Sequence, residues 1–146
     1  RYLHSDIETV ERTEILRDKS SLPTGETKPW RHAGSTTPIS AIHAVPAISL
    51  AECGRTAKVR LKDPSGLTLD VSHHGDSLPK MPVVQFNLYG GVEEGYFSPE
   101  PWIGLQGGYN SQKGLTRLAP GQRWRWTIAI KPIKASAASS PPPDYR

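Results

Sequence analysis

Two neutral amides, Gln85 and Asn87, lie two residues apart in a segment that alternates between apolar and polar residues. Alternation predicts a strand with Val84, Phe86 and Leu88 on one face and both amides on the other. An amide donates and accepts hydrogen bonds, so two amides on one face suit the recognition of hydroxyl groups. The alternative interpretation is a solvated outer face of a sheet, for which the same pattern is typical.

The carboxylate of Glu100 is a candidate general base. It lies between Pro99 and Pro101, which restrict the backbone, and Trp102 follows two residues later. An aromatic side chain there can partly exclude water from the carboxylate, an environment that suits proton abstraction. The alternatives are a surface carboxylate at Glu100 and a core position for Trp102.

The elements that carry these residues are predicted to be strands. Leu61 and Leu69 belong to two alternating segments joined by Asp63-Pro64-Ser65-Gly66, which favours a tight hairpin. Residues 72–82 are predicted to be a loop, 83–89 a strand and 96–98 a short strand. In the final strand one face is apolar, and its members are Trp124, Trp126, Ile128 and Ile130.

The composition agrees with an all-β chain that turns often. The 146 residues include 13 Gly and 14 Pro, and residues 1–16 are interpreted as strands in preference to a helix. We predict an antiparallel β-sandwich over residues 1–133, followed by a flexible Ala/Ser/Pro-rich tail over 134–146.

Several classes of function are disfavoured by composition. A net charge of +4, from 18 basic and 14 acidic residues spread along the chain, gives little support to nucleic-acid binding. No apolar run is long enough to cross a membrane. His73 and His74 are adjacent and would point to opposite strand faces, so we predict no metal site, and no cofactor motif is present. The single cysteine, Cys53, fits a reducing compartment, and we expect a cytoplasmic protein.

Five short segments occur in an order that resembles the C-terminal half of the aldose 1-epimerase (galactose mutarotase-like) family. The resemblance covers roughly residues 10–131, and the segments are 22–26 (LPTGE), 63–66 (DPSG), 84–87 (VQFN), 98–102 (SPEPW) and 118–121 (LAPG). It implies that the sandwich is part of a larger β-supersandwich with a sugar cleft.

The resemblance also implies a chemistry, the interconversion of sugar anomers. A carboxylate takes the proton of the C1 hydroxyl while a histidine protonates the ring oxygen, so that the ring opens and closes again. Glu100 matches the position of the family's base, and Gln85 matches a glutamine that binds sugar hydroxyls. Asn87, Trp102 and His43 are further candidate substrate-binding residues, and the ligand would be a monosaccharide or a sugar phosphate.

Two departures from the family pattern bear on this hypothesis. His4 is too close to the 22–26 segment to be the acid and lacks its His-Pro-Tyr context. Residues 27–62 contain no aspartate where the family has a cleft aspartate; His43 lies near that point and is otherwise a half-buried structural histidine. We therefore expect an epimerase-type half-domain whose acid comes from a companion chain or an N-terminal segment. The alternatives are a non-catalytic carbohydrate-binding sandwich and a structural module.

Overall fold

The computed structural model describes residues 4–53, 56–76, 83–91, 93 and 95–134. Ten strands form two antiparallel sheets of five that pack face to face, which confirms the predicted all-β sandwich. The strands are β1 (Asp6–Thr9), β2 (Thr13–Arg17), β3 (Pro23–Pro29), β4 (Thr36–Pro38), β5 (Ala44–Ala51), β6 (Ala57–Lys62), β7 (Leu67–Gly75), β8 (Val84–Gly91), β9 (Tyr96–Gly104) and β10 (Trp126–Lys134).

The two sheets have different strand orders. Sheet A has the order β10-β7-β6-β1-β4, and sheet B has the order β3-β2-β5-β8-β9. A 3-10 turn spans Ile39–Ala41, and a single helical turn, α1, spans Gly108–Ser111. The strands predicted near the N-terminus are present as β1 and β2, one in each sheet, so the chain crosses between the sheets at residues 10–12.

The β6–β7 hairpin forms as the turn residues predict. The Asp63 carboxylate accepts the backbone N–H of Ser65 at 2.8 Å, and Gly66 has φ +86°. The Asp63 carbonyl accepts the N–H of Gly66 at 2.9 Å. The turn sets a register in which Leu61 is opposite Leu69, so both hydrophobic sets face the interior.

The core lies between the sheets and draws on both. Burying these apolar side chains is the main favourable contribution to folding, at about 25 cal/mol per Å² of apolar surface. The buried residues of this core are Ile7, Trp30, Ile39, Ile42, Ala44, Leu50, Ala57, Val59, Val71, Phe86 and Leu88.

Two strands are longer than the sequence predicts. β9 continues through Pro99 and Pro101 to Gly104, because β9 is the edge of sheet B and an edge strand tolerates residues without an N–H. β7 extends through His74 to Gly75, so the loop prediction for 72–82 is wrong at its start, while residues 77–82 lie outside the described part. β10 ends at Lys134, and the rest of the predicted tail, residues 135–146, lies outside the described residues.

The apolar face of β10 remains accessible. Ile128 is opposite the buried His73 and Ile130 is opposite the buried Val71, so these side chains share the core-facing side of sheet A. Trp126, Ile128 and Ile130 are nevertheless 39%, 45% and 65% exposed. We call these three residues the β10 stripe; within the described residues, sheet B leaves it largely uncovered.

Candidate functional site

A row of polar side chains crosses the outer face of sheet B, opposite the core. Asn87 on β8 is directly opposite Ser49 on β5 and Glu100 on β9. Neighbouring residues on β8, Phe86 and Leu88, point into the core, so alternation places Asn87 on the outer face. We call Ser49, Asn87 and Glu100 the polar row. It brings together two of the residues that the sequence singled out.

The orientation of the Asn87 amide is fixed by Arg17, at the end of β2. The Arg17 Nη2 donates to Asn87 Oδ1 at 3.2 Å and to Ser49 Oγ at 2.7 Å, and Ser49 Oγ donates to Asn87 Oδ1 at 2.9 Å. A guanidinium has only donors, so the amide oxygen must face it. The amide nitrogen of Asn87 therefore points away from Arg17 and Ser49.

Arg17 is a half-buried cation among neutral groups. Its Nη1 donates to the Ser21 carbonyl and, at 3.3 Å, to Gln106 Oε1. Within the described residues its Nε is buried without a hydrogen-bond partner, and no carboxylate lies within ion-pair distance of Arg17. Desolvation lowers the pKa of this guanidinium, although it stays charged at neutral pH.

Gln85 lies on the same strand as Asn87 but has a structural partner. Both amides are buried, Gln85 being 4% and Asn87 3% exposed, but the Gln85 Oε1 accepts the backbone N–H of Cys53 at 3.1 Å. Its own carbonyl accepts His73 Nε2–H, and the His73 Nδ1 accepts the indole N–H of Trp126 at 2.9 Å. His73 is thus held neutral, and burial lowers its pKa. The side-chain oxygen of Gln85 is occupied within the protein.

Trp102 is half-buried in a small apolar cluster that is separate from the main core. It packs with Leu105 against the buried Ile15, Ala51 and Val84. The residues after β9 contact this cluster and Arg17, since Leu105 joins the cluster and Gln106 Oε1 accepts from Arg17. Trp102 therefore supports the position of β9 and with it that of Glu100, which is itself half-buried.

His43 lies elsewhere. It is exposed and lines a groove of about 510 Å³ together with Trp30, His32 and Pro46. We call this the Trp30 groove. Arg17 also lines it, so the groove approaches the polar row from the β2 side. The structure therefore groups Asn87 with Glu100, ties Gln85 to the Cys53 backbone, packs Trp102 beside them and separates His43.

Cys53 is a poor nucleophile in this environment. It lines a second cavity of about 540 Å³ with Val10, Arg12 and Glu52. Burial raises the pKa of its thiol to about 12, and the nearby Glu11 carboxylate adds to this effect. At neutral pH the sulfur is protonated, whereas reactive cysteines depend on the thiolate.

The described residues contain no group of three or more His, Cys, Asp or Glu side chains arranged to hold a metal ion. Within the same residues, no helix has the length and apolar character required to span a membrane.

Arg17 and Ser49 are the site residues that sequence reasoning missed. Both contact Asn87, yet they are 70 and 38 positions away along the chain. Alternation around the buried Ile15 places Arg17 on the same face as Ile15, but only the strand order of sheet B brings that face beside β8.

Comparisons of the chain with protein-family models, with curated proteins and with solved structures find no match.

Proposed function

We propose that the outer face of sheet B binds a monosaccharide and that Glu100 is the general base of an aldose 1-epimerase-type reaction. The observation that supports this best is the pairing of Glu100 with Asn87 across β9 and β8. It puts a proton acceptor beside an oriented amide donor on one sheet face, and sugar recognition needs both kinds of group.

Each group has a defined part in the proposed reaction. Glu100 takes the proton of the C1 hydroxyl as the C1–ring oxygen bond breaks, and a general acid protonates the ring oxygen. Rotation about C1–C2 and the reverse proton transfers close the ring as the other anomer. Asn87 donates from its amide nitrogen to a sugar oxygen, and Arg17 holds Asn87 in that orientation. Ordering the sugar before reaction lowers the entropic part of the barrier.

The general acid would come from a companion polypeptide, either a separate chain or an N-terminal segment. The β10 stripe supports this part of the proposal. Trp126, Ile128 and Ile130 lie side by side on the core-facing side of an edge strand and retain substantial exposure. An accessible apolar strip at a sheet edge favours contact with a further element, which would extend or cover the sandwich.

Polarimetry tests the proposed chemistry. Freshly dissolved α-glucose or α-galactose should reach anomeric equilibrium faster in the presence of the protein, and Glu100→Gln should abolish the acceleration while sugar binding persists. Glu26→Gln is the matched control, because Glu26 is an exposed carboxylate on β3. Acceleration that survives Glu100→Gln would contradict the role of Glu100 as base.

The second candidate function is a non-catalytic carbohydrate-binding sandwich. The hydrogen bond from the Cys53 N–H to Gln85 Oε1 favours it, because an oxygen that the resemblance assigns to sugar binding is already occupied. Trp102, a further candidate for sugar binding, likewise packs within the protein, against Ile15, Ala51 and Val84. Sugar binding that depends on Asn87, without any acceleration of mutarotation, would support this function over the first.

A further inference from the structure

We propose that the Trp30 groove is a binding site for a small organic monophosphate. This site adjoins the polar row at Arg17, and the proposal goes beyond the sugar chemistry proposed above. The groove has a volume of about 510 Å³, within the range of roughly 300–1,000 Å³ that is typical of small-molecule sites.

The charges that line the groove favour an anion. Arg17, Lys28 and Arg31 are cationic, and Glu14 is the one carboxylate among the lining residues. Glu14 is already paired with Lys28 at 3.3 Å. The lining therefore has a net charge of +2, which matches a phosphate monoester at about −1.5 to −2 near pH 7.

Arg31, one of the three cations that line the groove, is held in place before any ligand binds. Its Nε donates to His32 Nε2 at 2.8 Å, and its Nη2 reaches the Ala41 carbonyl at 3.4 Å. Because His32 Nε2 accepts, the imidazole proton is on Nδ1, which donates to Thr37 Oγ1 at 3.2 Å. Holding the guanidinium in this way reduces the entropy lost when it binds an anion.

His32 connects this charged side to a rigid aromatic wall. Its ring meets that of Trp30 edge-on, with centroids 4.8 Å apart, and the Trp30 indole donates to Thr9 Oγ1 at 2.9 Å. Burial and the neighbouring Arg31 lower the pKa of His32, so the neutral ring adds no charge at pH 7. The positive charge of this side therefore comes from Arg31, which presents planar donors suited to phosphate oxygens.

The side of the groove that contains Trp30 is apolar, and we call it the apolar wall. Trp30, Ile42 and Ile48 line the groove beside Pro46. Inorganic phosphate would use only the charged side, whereas a phosphorylated ring compound would also cover the apolar wall. This combination explains why the proposed ligand is an organic phosphate and why its phosphate group should lie toward Arg31.

Isothermal titration calorimetry with three probes tests the proposal: glucose 6-phosphate, glucose and inorganic phosphate. Glucose 6-phosphate should bind at least tenfold more tightly than either of the others. Arg31→Gln should weaken its binding about tenfold, equivalent to ~1.4 kcal/mol, and Arg31→Lys should weaken it less. Arg12→Gln is the matched control, since Arg12 is exposed and lies outside the groove, and it should change the affinity less than twofold.

Results that contradict the anion site differ from results that contradict the role of the apolar wall. Equal affinities for glucose 6-phosphate and glucose, or equal effects of Arg31→Gln and Arg12→Gln, would overturn the anion site. Equal affinities for glucose 6-phosphate and inorganic phosphate would overturn the role of the apolar wall. Failure here leaves the polar row untouched, because binding of neutral glucose at Asn87 is measured separately.

Discussion

Glu11 provides a sensitive test of the interface between the two sheets. It lies in the crossover between β1 and β2, it is fully buried, and neither carboxylate oxygen has a hydrogen-bond partner among the described residues. Desolvation raises the pKa of Glu11 from 4.5 to about 7, although nearby backbone N–H groups, including that of Lys58, offset part of the effect. Replacement by Gln keeps the shape of the side chain and removes its charge.

The magnitude follows from this pKa difference. The folded state holds the Glu11 proton more tightly than the unfolded state, so its stabilising contribution is present below pH 4.5 and is lost as the pH rises through 7. The total corresponds to about 3 kcal/mol, of which about 2 kcal/mol is lost between about pH 5 and about pH 7.5. Glu11→Gln should therefore gain about 2 kcal/mol relative to the wild type across that window.

Urea unfolding of the wild type and the variant at a series of pH values measures this difference. A constant cost of burying the amide cancels, because only the change with pH is compared. Glu26→Gln, at an exposed position, should follow the wild-type profile. Parallel stability profiles for the wild type and Glu11→Gln would refute the reasoning.

Three further predictions concern the sheets and the site. Asp70→Asn should lower stability by about 2 kcal/mol and the Tm by roughly 4–8 °C in thermal unfolding. The reason is that the Asp70 carboxylate, whose side chain is 12% exposed, accepts two hydrogen bonds from the Arg60 guanidinium. Asp76→Asn, at an exposed position, is the control and should change the Tm little. Arg17→Met should weaken sugar binding about tenfold, or ~1.4 kcal/mol, because the Asn87 amide would no longer be held in its orientation. An unchanged affinity in calorimetry would contradict the role of Arg17 in orienting Asn87. Ile130→Lys should reduce binding of the fluorescent dye ANS and leave the Tm nearly unchanged, since this side chain is 65% exposed, whereas unaltered dye binding would contradict an open β10 stripe.

Local patterns were sufficient to predict the elements that depend on neighbouring residues. The Asp63–Gly66 turn forms within four residues, so its side-chain and φ preferences determine the hairpin. The strand containing Gln85 and Asn87 is recognisable because three apolar residues alternate with the amides. Both features require only the period of a strand and the chemistry of a turn.

Features that depend on strand order were not predictable in the same way. The apolar alternation around Ile128 identifies a strand face, but not that β10 is an edge strand whose core-facing side stays exposed. Pro99 and Pro101 suggest the end of a strand unless it is known that β9 has no neighbour on one side.

The candidate site shows the same limit. The sequence pairs Gln85 with Asn87 as equivalent amides, yet the Cys53 backbone engages the side-chain oxygen of the first, while Arg17 and Ser49 orient the second. These contacts join residues far apart in the chain, so periodicity contains no information about them. The assignment of Glu100 to catalysis stays a prediction.

The most direct test of the polar row is an NMR titration that follows the side-chain amide of Asn87 by ¹⁵N–¹H correlation. Addition of α-glucose or α-galactose should shift the Asn87 amide signal, and Glu100→Gln should leave that shift in place while Asn87→Ala removes sugar binding. An Asn87 signal that stays unchanged while the sugar binds elsewhere on the protein would contradict the proposal that Asn87 and Glu100 form one sugar site.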